Sequence, residues 1–188
     1  MPPKVKVMRE NIVQTAVDIV RQDGAEALNA RGIAAVLGCS TQPVFSNFST
    51  MDELRLAVMQ QADALYQEYI HREMESGEYP PYKAGGMAYI RFAKEEKELF
   101  KLLYMCDRTG EDIPSETQSF TQMTDIISKS MGVDENTARL FHLEMWAYVH
   151  GIATMFATNF LDLEWELVSR MLSDVYLGLR KQYGMEEK

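Results

Sequence analysis

Apolar positions recur every three to four residues along nearly the whole chain, and no run shows the two-residue alternation of a half-buried strand. This pattern predicts an all-α protein of about nine helices. Ile12, Val13, Ala16, Ile19 and Val20 share one face of a first helix, Met8 to Asp23, which Gly24 ends as a left-handed cap. A short second helix begins at Asn29 or Ala30, buries Ile33, Ala34 and Leu37, and stops at Gly38. Ser40 then caps a third helix, with Pro43 inside its first turn, where a missing N–H costs little. Val44 and Phe48 lie on its inner side. Thr50-x-x-Glu53 forms a capping box that opens a long fourth helix, Met51 to about Ser76, whose stripe is Leu54, Val58, Ala62, Leu65 and Tyr69.

The segment SGEYPPY, residues 76–82, breaks the pattern, because two prolines after a glycine stop any helix. Two further helices are predicted over Lys83–Lys94 and Glu95–Met105. The polar loop DRTGEDIP leads to a second capping box, Ser115-x-x-Gln118, and a helix to about Met131. Asp134 caps a long helix to about Asn159, and the last spans roughly Leu163–Tyr183. The chain contains no internal repeat. A three-helix unit, residues 1–50, joined to a larger helical body, residues 51–188, fits the usual sizes of domains.

Short helix, glycine turn, short helix is the helix-turn-helix layout, whose second member enters the DNA major groove with its N-terminal side chains against base edges. Gly38 lets the chain leave the second helix sharply. The outer side of the third helix stays polar, with Ser40, Thr41, Gln42, Ser46 and Asn47. Hydroxyls and amides without charged pairs make a poor solvated surface and a good groove reader.

The segment LNARGIAAVLGCSTQPVFSNFSTMDEL, residues 28–54, resembles the signature of the TetR family of transcriptional regulators, including its aromatic-x-x-Phe ending at Phe45 and Phe48. The resemblance implies a ligand-responsive repressor that binds palindromic operator DNA as a homodimer. It places Arg31 as a base reader at the start of the second helix and Thr41, Gln42 and Pro43 at the base-contacting tip. Arginine suits guanine, Gln42 suits adenine, and the Pro43 ring suits a thymine methyl. Ser40, Ser46, Asn47 and Thr50 become phosphate contacts, which set register without reading sequence. Three positions depart from the family pattern. Phe45 lacks the tyrosine hydroxyl that would reach phosphate, Asn47 replaces a common histidine, and Met51 a common lysine. Lys4 and Lys6 are expected to compensate as a basic arm.

Charge is divided unevenly. Residues 1–50 hold five Lys/Arg against four Asp/Glu, whereas the remainder holds 14 against 24, within a total net charge of −9. DNA binding by so weakly basic a head is expected to depend on salt. The acidic balance and the three departures support a rival reading, a helical ligand- or protein-binding module that has lost DNA binding.

WAYVHG, with Trp146 and His150 one turn apart, resembles the W…HG stretch of one subgroup of TetR ligand domains. His150 either projects into an effector cavity or is a buried histidine bonded to a backbone carbonyl. Tyr89, Phe92, Tyr104, Met123, Phe141, Met145, Trp146 and His150 are candidate pocket residues for a small apolar or aromatic effector. The resemblance also implies dimerisation through the last two helices, where Gly151, Thr154 and Thr158 offer a small-residue strip and Leu167, Met171 and Leu179 apolar area.

Catalytic and cofactor signatures are missing: there is no HExxH, GxSxG or phosphate loop, and His142-x-Glu144 lacks the PCxxC a zinc deaminase requires. The expectation is a regulator without enzymatic activity, cofactor or metal. The two cysteines, Cys39 and Cys106, lack metal-ligand spacing and fit a reducing compartment. No apolar stretch approaches the ~20 residues that cross a bilayer, and the N-terminus does not read as a signal peptide. A cytoplasmic location is expected.

Overall fold

The computed structural model describes residues 7–107 and 114–185, the side chains of 114–119 excepted. The described residues form nine α-helices and no strand: α1 (Arg9–Asp23), α2 (Ala30–Val36), α3 (Gln42–Asn47), α4 (Met51–Ser76), α5 (Pro81–Glu95), α6 (Lys97–Tyr104), α7 (Pro114–Met131), α8 (Glu135–Ala157) and α9 (Trp165–Gln182), with a single 3₁₀ turn at Ala25–Ala27. The helical class and order follow the apolar periodicity. Lys4 and Lys6 fall outside the described residues.

Helix ends follow local chemistry, with three departures from expectation. Asn29 caps α2 by accepting from the Gly32 amide at 2.9 Å, and Asp134 caps α8 by accepting from Thr137 at 3.1 Å. Gly24 does end α1 through its amide to the Val20 carbonyl, but at φ 84°, ψ 168° it is extended rather than left-handed helical. That region is open to glycine alone. Ser40 does not cap α3. Pro43 is the second helical residue and has no N–H to offer a cap, so the Val44 amide instead bonds the Thr41 carbonyl at 3.1 Å. At α4 the Thr50 hydroxyl accepts from the Glu53 amide at 3.1 Å, while the Glu53 carboxylate reaches one residue further back than the usual box, to the Ser49 amide at 2.7 Å.

α5 is the central helix, buried through Ala84, Met87, Ala88, Tyr89, Ile90, Phe92 and Ala93 and packed against α4, α6, α8 and α9. Gly86 allows this closeness: a Cβ there would stand 3.1 Å from Leu172 of α9 and 3.4 Å from Val149 of α8. The larger core runs without interruption from Ile12 of α1 through α4 and α5 to Leu172 of α9. Each fully buried Leu, Ile or Phe in it contributes roughly 1.5–3 kcal/mol. A smaller core joins Ile127 of α7, Phe141 and Met145 of α8, and Met185.

Leu37 and Leu65, expected inside, are only half-buried and pack against the edge of the larger core. No described helix is long and apolar enough to cross a membrane.

Candidate nucleic-acid interface and effector core

α2 and α3 touch each other and α1, forming the head of the molecule. Val44 and Phe48, both essentially inaccessible, fix α3 against Ile12, Ile33 and Leu54 in one core. The opposite side of α3 faces outward. Ser40, Gln42, Phe45 and Ser46 are exposed, and Thr41, Pro43 and Asn47 are half-buried. Gly38, at φ 63°, makes the turn between the two helices. The Ser46 hydroxyl donates to the Gln42 carbonyl and the Asn47 amide to the Pro43 carbonyl, each at 2.8 Å. Both side chains therefore stiffen α3; the Ser46 hydroxyl gives its one proton to the helix, whereas the Asn47 amide keeps a second hydrogen. The Thr50 hydroxyl retains its proton because it serves the α4 cap as acceptor.

Arg31 is exposed on α2 and enters no ion pair among the described residues. Arg9 and Arg21 are occupied: Arg9 pairs with Glu53 at 3.1 Å, and Arg21 with Glu96 at 2.7 Å. Sequence reasoning missed Arg9. Its guanidinium lies over the Phe48 ring at 3.9 Å and donates to the Asn47 carbonyl at 2.7 Å, closing the C-terminal end of α3. Nothing in the local pattern marks that role, since the contact spans 38 residues. Serving Ser49 and Arg9 together holds the Glu53 carboxyl below its ordinary range.

Two exposed apolar side chains flank the polar tip, Val36 and Phe45, the latter 54% exposed. Without its hydroxyl, the Phe45 position offers van der Waals contact rather than a hydrogen bond.

The eight candidate pocket residues fall into two groups. Tyr89 and Phe92 are buried in the larger core with Tyr104 half-buried beside them, whereas Met123, Phe141 and Met145 belong to the smaller core. Tyr89 meets Phe100 at 5.3 Å and Tyr104 at 5.0 Å, and Tyr66 of α4 joins them at 5.7 Å from Tyr89. His150 shares a hydrogen bond with the Tyr89 hydroxyl at 2.9 Å, a partner neither sequence reading foresaw. Trp146 is 42% exposed and stacks on the His150 ring at 5.0 Å. Burial lowers the His150 pKa.

In the smaller core Tyr82 shares a hydrogen bond with His142 at 3.0 Å, and Phe120 packs on the same imidazole at 4.6 Å. Burial there lowers the His142 pKa from 6.5 to about 4 and raises that of Tyr82. Among the described residues no cluster of His, Cys, Asp or Glu could hold a metal ion.

On α8 and α9, Gly151 is half-buried, with open space where a Cβ would stand. The Thr154 and Thr158 hydroxyls donate to the carbonyls of His150 and Thr154, at 2.8 and 2.7 Å. Their polarity is thus satisfied within the helix, and their methyls remain for packing. Leu167 is exposed, while Met171 and Leu179 partly pack on the chain's own cores. Leu140, Leu143 and Leu177 are also exposed and were not singled out from sequence. The signal was present: α8 carries apolar residues on two faces, which a helix with a single buried side does not need.

A head of three short helices under an all-helical body is the architecture of a one-component transcription regulator. Residues 82–175, half of the chain, match the family model described as tetracyclin repressor-like, C-terminal domain. The chain belongs to the TetR family of transcriptional regulators. No curated protein sequence matches it significantly. Among solved structures it is similar to a TetR-like transcriptional regulator from Rhodococcus sp. RHA1, with TM-score 0.69, 16% identity, and coverage of 98% of this chain and 99% of that one. A Rhodococcus sp. RHA1 protein of unknown function superposes with TM-score 0.74 at 22% identity over 94% and 96% of the two chains. The multidrug binding protein EbrR, complexed with imidazole, superposes with TM-score 0.56 at 18% identity over 88% and 93%. These likenesses concern the fold.

Proposed function

We propose that the chain is an effector-responsive repressor that binds a palindromic operator as a cytoplasmic homodimer. Residues 1–50 serve as reader and residues 51–188 as sensor and dimerisation body. The supporting observation is the orientation of α3: Val44 and Phe48 hold it to the core and leave Gln42 exposed at its N-terminal tip. Arg31, Thr41, Gln42 and Pro43 read bases. Ser40, Phe45, Ser46, Asn47, Thr50, Lys4 and Lys6 meet the backbone. One α3 covers too few base pairs for selectivity, and a second copy through α8 and α9 supplies the other half-site. The effector acts from the aromatic core around Tyr89 and His150 by favouring a dimer whose two heads no longer match the operator spacing.

Selection of bound DNA from a random library, followed by gel shifts, tests this reading. A short palindrome should be enriched. Arg31→Ala should then reduce discrimination at one base pair of each half-site by roughly 1–3 kcal/mol while leaving salt-dependent nonspecific binding. Unchanged selectivity in that variant would remove Arg31 from the readers. The ion pairs of Arg9 and Arg21 leave the head few free cations among its described residues, which favours the rival reading of a module without DNA binding. Enrichment of no sequence at low salt would establish that rival.

A further inference from the structure

Met59, Asp63, Tyr66 and Ile70 lie at helical spacing on one side of α4, and all four are half-buried. Met59, Tyr66 and Ile70 pack against the larger core. Asp63 is therefore a carboxylate set into an apolar stripe, and it enters no ion pair among the described residues. Its polar neighbour is the Gln67 side chain one turn on, and burial raises the Asp63 pKa. A carboxylate becomes costlier to leave without a counter-charge as it is withdrawn from water, and Asp63 is partly withdrawn.

Aromatic rings gather beside it. Tyr66 approaches Phe92 at 5.4 Å, Tyr89 edge-on at 5.7 Å and Tyr104 edge-on at 6.0 Å. Phe100 stands 5.2 Å from Tyr104. Asp63 and Tyr66 stand three residues apart on the same face of α4, and burial, followed by the Asp63 charge, raises the Tyr66 pKa. Helices α4, α5 and α6 thus bring a carboxylate without a counter-charge to a group of electron-rich rings. Ring faces attract cations, and a partly dehydrated carboxylate adds to that attraction. An anion would be repelled by Asp63, and a neutral molecule would leave it unmatched. The body as a whole, with 24 Asp/Glu against 14 Lys/Arg, attracts cations rather than anions.

We propose that the effector is an organic cation with an aromatic or bulky apolar body, held against Tyr66, Tyr89 and Tyr104 with its positive charge facing Asp63. This inference rests on the reading of the chain as an effector-responsive regulator and names the class of ligand. Two surface depressions, of about 190 and 520 Å³, are lined by other residues. The cation enters instead beside the half-buried Tyr104 at the end of α6.

The test is calorimetry and thermal melting of the full chain with tetraphenylphosphonium and the smaller phenyltrimethylammonium, using tetraphenylborate as an anion of matching shape. At least one cation should bind and raise Tm, and the borate should not. Asp63→Asn should weaken cation binding by about tenfold, the size of one partly buried charge contact, without lowering the Tm of the free protein. Glu68→Gln, on the exposed side of α4, should leave binding unchanged. If Asp63→Asn fails to fold, Asp63→Glu keeps the charge and should keep the binding. Equal binding of the borate, indifference to Asp63→Asn, or no binding of either cation would overturn the inference. A neutral aromatic compound that releases operator DNA from wild type and Asp63→Asn alike would overturn it while leaving the regulator reading intact. Asp63-dependent cation binding by a protein that binds no DNA would do the reverse.

Discussion

His142 lies between Tyr82 and Phe120, and its imidazole titrates near pH 4 in the folded chain against 6.5 when free. Between those values the unfolded chain binds a proton that the folded chain refuses. Stability is complete above about pH 6.5 and declines as pH falls toward 4, by about 2 kcal/mol after allowance for partial exposure of the ring. His150 is shifted in the same direction and adds to the decline. Urea unfolding at pH 7 and pH 4.5 should show the loss. His142→Gln should remove its own share while retaining a partner for the Tyr82 hydroxyl. A variant as acid-sensitive as wild type would place the cause elsewhere. Arg9 is the second residue whose role depends on distant partners, since it joins α1 to the end of α3 and the start of α4.

The joint between α5 and α6 gathers more polar links than its length suggests. Lys94 bonds Asp162 at 2.6 Å, Glu95 accepts from Tyr69 at 2.8 Å, Glu96 accepts from Arg21 at 2.7 Å, and Lys97 bonds Asn159. Four successive residues therefore fasten α1, α4 and the turn between α8 and α9. Burial, followed by the Glu95 bond, pushes the Tyr69 hydroxyl up to about 12. Arg21→Ala and Glu96→Gln should each lower stability by about 1 kcal/mol, discounted for the exposure of Arg21. The double variant should lose little more than either alone, as a double-mutant cycle of urea midpoints would register. Strict additivity would mean that the pair contributes nothing.

None of these links was legible in the sequence, although the helices they join were. Local rules act within a turn or two, so periodicity, Asn29, Thr50, Asp134 and the prolines located the elements to within a few residues. At α3 the same rules failed, because Ser40 looks like a cap until Pro43 is seen to remove the donor. The outward tip of α3 was readable because Val44 and Phe48 fix which side faces in. The pocket candidates were not. Apolar periodicity says that Phe92 and Phe141 are inside, but it does not say that they occupy separate cores.

At the scale of the whole molecule, α8 has two apolar sides, and among the described residues one is covered by its own chain while the other is open. Phe141, Met145, Val149, Ile152 and Phe156 face inward, while Leu140, Leu143 and Trp146 are open to water. With Gly151, Thr154, Leu167 and Leu177 they form the surface proposed for the homodimer. Light scattering after gel filtration should give a dimer at micromolar concentration. Leu143→Glu combined with Leu167→Glu should give a folded monomer with unchanged helical circular dichroism and much weaker operator binding. A wild-type monomer at that concentration would sink the dimer proposal.

Glu53 stands in the first turn of α4, bonded at once to Ser49 and to Arg9, and Arg9 in turn grips the last residue of α3. The long helix and the short one are thereby linked through Arg9 and Glu53, a pair in which both side chains are well exposed. Any rotation of α4 at its N-terminal turn would reach α3 through this link, because Glu53 and Arg9 are the side chains that connect the two helix ends.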